Sequence, residues 1–115
     1  AYARLKRPDS AQYFARRSLA LAQQLNVNWL IALNQFYLGI VEQFRNNPTG
    51  ALAAYERSMA LARSEKNVAM LRELARHSAS SYASMGRHQQ AYEAVLQALA
   101  YADQFYSSEH TKSIR

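Results

Sequence analysis

From residue 11 onward, apolar or small side chains recur three and four positions apart: Ala11, Phe14, Ala15, Ser18, Leu19, Ala22 and Leu25 mark one helical face. Pro8-Asp9-Ser10 opens that helix, because short polar side chains accept the free N–H groups of a first turn and proline tolerates a place that needs no donor. The pattern predicts a helix over 8–25, a turn at Asn26-Val27-Asn28, and a second helix over 29–44. This second helix is apolar most of the way round, through Trp29, Leu30, Leu33, Phe36, Tyr37, Leu38, Ile40, Val41 and Phe44. A helix of that kind is packed on several sides or displays a surface meant for another chain. Asn46-Asn47-Pro48-Thr49-Gly50 breaks it, and a third helix follows over 49–64. After Lys66-Asn67 a fourth runs over 68–85, with Leu71, Leu74, Ala75, Ser78, Ala79, Tyr82 and Met85 inward, and Gly86-Arg87 ends it. The fifth runs from His88 through Tyr106 and onward, since Ser107-Ser108-Glu109-His110 holds no proline or glycine to stop it.

These helices repeat. Ala11, Ala51 and Ala91 stand 40 residues apart, as do Ser18, Ser58 and Ala98, then Leu19, Met59 and Leu99, then Ala22, Ala62 and Ala102. Pro8 and Pro48 also fall in register, with His88 in the third copy. A fixed period of this length implies a solenoid, in which each unit buries its apolar face only against its neighbours. The predicted fold is all-α: one domain over 1–115, a superhelix of antiparallel helix pairs, with units near 1–28, 29–68 and 69–106. Residues 1–7 line up with 41–47 and 81–87, which end helices, so the chain is expected to begin inside a unit.

Composition agrees: half the residues are hydrophobic, with only 3 Gly and 2 Pro to interrupt helices. No run approaches a membrane span, no charged-then-apolar leader opens the chain, and insertion into a bilayer is not expected. Cysteine is absent, which removes disulfides and thiolate metal sites and leaves the compartment open between periplasm and cytoplasm. The net charge is +6, and residues 1–25 carry Arg4, Lys6, Arg7, Arg16 and Arg17 against Asp9. A nucleic-acid footprint would cluster such residues along one element with aromatics between them, and they are scattered here, so nucleic acid is not an expected partner.

Catalytic chemistry finds no constellation. His77, His88 and His110 are far apart in sequence, and His77 and Ser78 are consecutive on a helix, where side chains diverge. Metal-ligand spacing, a phosphate-cradling glycine loop and a paired carboxylate site are absent from the sequence. The expectation is a protein without enzymatic activity, cofactor or metal.

At the second copy the residues take a recognisable form. Leu38-Gly39 is followed twelve positions later by Ala51, and Ala51 by Tyr55 after three residues; this resembles the tetratricopeptide repeat. Small residues at Gly39 and Ala51 let two antiparallel helices approach, and the aromatic one turn later fills the space beside them. Ala79, Tyr82, Gly86, Ala91 and Val95 hold the equivalent places in the third copy, and only Ala11 and Ala15 in the first. Gln35, Glu42 and Ser78 replace the family's Trp, Tyr and Leu, and the period exceeds the usual roughly 34 residues, so each helix is about a turn longer. The period would also suit HEAT-like repeats; the small-residue spacing favours the tetratricopeptide form.

That resemblance implies a scaffold binding a protein or peptide on its concave side. Carried over from Gly39 and Ala79, the groove would be lined by Leu33, Phe36, Ile40, Gln43, Glu73, Arg76, Ser80 and Ala83. A chaperone-tail clamp would need Lys or Asn where Phe36, Ile40 and Ser80 stand, which disfavours that ligand; the alternative for Phe36 and Ile40 is packing between helices. Residues 101–115 look like the junction at which such sensor regions of bacterial signalling proteins pass into a linker helix before a histidine kinase or diguanylate cyclase. A regulatory segment of that kind is the expected context. The other possibility is a self-association module forming a homodimer, with the Tyr92, Tyr101 and Tyr106 face of the last helix at the end of the stack.

Overall fold

The computed structural model describes the backbone of residues 2–114 and the side chains of residues 10–108. Five helices follow one another: α1 (Tyr2–Leu25), α2 (Asn28–Phe44), α3 (Pro48–Ser64), α4 (Val68–Ser84) and α5 (His88–Ile114). The described residues contain no strand, and no helix among them is long and apolar enough to cross a membrane.

The chain reverses by one device used four times. Asn26, Asn46, Lys66 and Gly86 have φ of 57°, 63°, 54° and 73°, the left-handed backbone that ends a helix. Each is flanked by the same pair of hydrogen bonds. At the second turn Asn47 N–H donates to the Glu42 carbonyl at 2.8 Å and Asn46 N–H to Gln43 at 3.0 Å; the other three turns repeat both bonds. Two carbonyls left orphaned by the helix end are thereby satisfied. On the far side Asn47 accepts from Gly50 N–H at 3.1 Å, Asn67 from Met70 N–H at 3.1 Å, and Pro48 occupies the first helical turn. The left-handed residues stand at 26, 46, 66 and 86, so the 40-residue period divides into two equal halves, each a helix and its turn.

One boundary differs from the sequence expectation. Pro8 was expected to open a helix after the end of an earlier one, yet α1 runs unbroken from Tyr2 to Leu25. At each of the other turns the pair holds at least one asparagine or glycine: Asn26-Val27, Asn46-Asn47, Lys66-Asn67 and Gly86-Arg87. Lys6-Arg7 has neither, so nothing there favours a left-handed residue or caps a new helix.

Within each pair the packing is extensive: α2 lies against α3, and α4 against α5. The pairs join through α1 on α2 and α3 on α4, while α2 and α4 touch lightly. The principal core gathers Ala51, Tyr55, Met59, Ala62, Leu71, Leu74, Ala75 and Ala98; a second holds Ala15, Leu38 and Ala54. Full burial of the Tyr55 side chain stabilises the stack by about 3 kcal/mol. The result is a layered repeat with a radius of gyration of 15.3 Å, wider than the roughly 13 Å of a compact chain this long.

Candidate functional site

Tyr55 shows how a pair of helices is locked. Its ring lies where a Cβ on Gly39 would sit, only 2.6 Å from Cδ1, so glycine is required for α2 to come this close. The Tyr55 hydroxyl donates to Gln43 Oε1, and burial pushes the phenol's pKa up. Phe36 meets the Tyr55 ring edge-on at 5.9 Å and the His77 ring at 5.1 Å, which ties α2 to both α3 and α4. Ser58 Oγ donates to the Ala32 carbonyl at 2.7 Å, and Arg57 Nε to Gln35 Oε1 at 3.1 Å. Thus α2 sits in a seat made by α3 and α4, fixed by four side chains: Tyr55, Ser58, Arg57 and His77.

Of the residues expected to line a concave groove, Phe36, Ile40 and Gln43 occupy these places. Phe36 and Ile40 are half-buried against the principal core, and Gln43 is engaged by Tyr55. Leu33 is half-buried. Glu73 accepts from Arg76 at 3.0 Å and pairs with Arg72 at 3.5 Å, while Ser80 and Ala83 are exposed. Arg72 also lies over the Phe105 and Tyr106 rings of α5, at 5.2 and 5.8 Å. His77 is held below the ordinary histidine range, first by burial and then by the Arg76 charge, with Glu73 acting in the opposite sense. His110 lies outside the described side chains. Among the described residues no group of three His, Asp or Glu side chains is arranged to hold a metal.

A different cleft opens between α1 and α2. It has a volume of about 840 Å³ and is lined by Ser10, Ala11, Phe14, Ala15, Ser18, Asn34, Tyr37, Ile40, Val41 and Phe44. Phe14 of α1 and Tyr37 and Phe44 of α2 are 65%, 48% and 76% exposed, unusual for three rings around one cleft. Asn34 turns its amide inward to the Leu30 carbonyl at 2.9 Å, leaving the wall apolar. Only Ile40 of the expected site residues lines this cleft. Sequence inspection passed over the others, although a signal was present: Phe14 and Phe44 stand where the next copy has Ala54 and Ser84. Large apolar residues at positions that a neighbouring unit fills with small ones are the mark of a surface awaiting cover. Comparison with known proteins finds no family model, no curated protein and no solved structure that matches the chain.

Proposed function

We propose that the chain is a non-catalytic binding scaffold that takes up a segment of another protein in the apolar cleft between α1 and α2. The observation that carries this is the exposure of Phe14, Tyr37 and Phe44 around one concave volume. A helical stack with an apolar cleft between two of its helices suits recognition better than chemistry. Its 40-residue period and the Ala51-to-Tyr55 spacing support the tetratricopeptide-like form, and the run from Tyr101 supports a regulatory place in a bacterial signalling protein. Peptide display against the native chain, repeated with Phe14→Glu and Phe44→Glu together, tests the proposal. Both rings are mainly exposed, so the double variant keeps its melting temperature while the selected peptides lose binding. Peptides indifferent to both substitutions would refute it.

A second possibility, self-association, draws on α5. Tyr92, Val95, Leu96, Leu99 and Tyr106 are exposed along it, an apolar row of the kind through which two copies associate. Sedimentation across a hundredfold concentration range decides: a constant monomer mass excludes dimerisation through α5.

A further inference from the structure

The repeat itself shows what belongs in the α1–α2 cleft. Shifted by one period of 40 residues, Ala15, Ser18, Tyr37, Ile40 and Phe44 become Tyr55, Ser58, His77, Ser80 and Ser84. Tyr55, Ser58 and His77 form the seat on which α2 rests, through the Gly39 crossing, the Ala32 carbonyl and the Phe36 ring. The cleft is therefore the register equivalent of an occupied helix seat, one unit earlier.

Its anchors are present as well. Ser18 and Arg17 copy Ser58 and Arg57, two of the side chains that hydrogen-bond α2, whereas the third unit has Ala98 and Gln97 at those places. Ser18 lines the cleft, and the Arg17 guanidinium rests on its own neighbour Tyr13, 5.8 Å from the ring centroid. Two polar anchors are thus kept in the unit whose seat is open.

From these equivalences we infer that the cleft seats an amphipathic α-helix of a partner protein, antiparallel to α1, with a glutamine or glutamate facing Arg17 and a large aliphatic residue four positions later. This rests on the binding function proposed above and specifies its ligand. The partner's size at the crossing follows from Ala15. In the second unit Tyr55 fills that space and demands glycine opposite, while Ala15 leaves it empty. Tyr37, Ile40 and Phe44 in place of His77, Ser80 and Ser84 make the rest of the wall more apolar, so the partner's stripe is more apolar than that of α2. Ser18 accepts the helix as Ser58 does, by donating to a backbone carbonyl, and this sets depth without selecting sequence.

The test uses the chain's own α2 as a probe. A synthetic peptide of residues 28–44 with a solubilising tri-lysine tail is compared with its Gly39→Leu form by fluorescence anisotropy against the intact protein. The leucine peptide is expected to bind about tenfold more tightly, the effect of burying one further aliphatic side chain. In the Ala15→Tyr protein the order reverses, and in Ala15→Leu the preference narrows, which covers the case in which the tyrosine variant does not fold. Arg17→Ala weakens the parent peptide several-fold and leaves a peptide with Gln35→Ala unaffected. Equal affinity of the two peptides for the native protein, or a preference untouched by both Ala15 variants, overturns the inference. If display yields groove-dependent ligands that stay extended by circular dichroism, the helix is refuted while the binding scaffold stands; ligands indifferent to Phe14 and Phe44 refute both.

Discussion

Gly39→Ala is the sharpest probe of how the helices are held. In an ordinary helix interior this change is stabilising by about 1 kcal/mol, because alanine loses less backbone freedom on folding. Here the added methyl would lie 2.6 Å from Tyr55 Cδ1 and closer still to Cε1. The ring cannot retreat: Tyr55 is 0% exposed, its hydroxyl is tied to Gln43, and Phe36 and His77 crowd its other edges. Overpacking a filled core costs about 1–3 kcal/mol, and a ring that cannot move aside puts this contact in the upper half of that range; set against alanine's gain of about 1 kcal/mol, the net expectation is a loss of about 1–2 kcal/mol and a Tm lower by about 4–8 °C. A double-mutant cycle isolates the contact. In a Tyr55→Leu background the ring is gone, and Gly39→Ala should become neutral or stabilising by up to about 1 kcal/mol, a coupling on the order of 2 kcal/mol. Urea unfolding of the four proteins supplies the numbers, and equal losses in both backgrounds would show that glycine is not there to admit the ring.

Three further outcomes are expected. Lys66 holds a left-handed φ of 54° at a place where Gly86 serves in the last turn, so Lys66→Gly should raise stability by about 0.5–1 kcal/mol in urea titrations. Ser81 is fully buried and its hydroxyl has no hydrogen-bond partner among the described residues, so Ser81→Ala should stabilise by about 1 kcal/mol, read as a higher Tm. Because the folded state holds the His77 pKa below the ordinary value of about 6.5, the unfolded chain binds the proton first; stability is complete above that pH and declines as pH falls toward the lowered folded value. Urea midpoints at pH 7.5 and 5.5 should differ accordingly, and His77→Tyr, which installs the residue found at Tyr37, should remove most of the difference.

The helices and their spacing were legible because alanine and leucine recur at helical intervals and because asparagine or glycine punctuates each turn. The close approach of α2 and α3 was legible too: Gly39, Ala51 and Tyr55 state it in three residues. The start of α1 was misread, since Pro8 copies Pro48 while Lys6-Arg7 lacks the turn residues that give Pro48 its role. Groove and core were hard to separate for Phe36 and Ile40, because an apolar side chain on α2 has the same spacing whether it meets a ligand or Tyr55. Burial divides the two cases, and burial depends on neighbours a full helix away. The α1–α2 cleft escaped notice for the same reason. Phe14 and Phe44 have ordinary helical spacing and stand out only when compared with Ala54 and Ser84.

Because each helix meets chiefly the one before and the one after, disturbance travels along the stack as through a row of couplings and weakens with each step. Opening α1 need not open α4. Amide hydrogen exchange should then be graded, slowest through α3 and α4, whose helices hold most of the principal core, and fastest toward the ends. A guest bound at one end would slow exchange most in the adjoining helices and least at the opposite end. The distance over which such protection spreads would report how strongly successive units are joined.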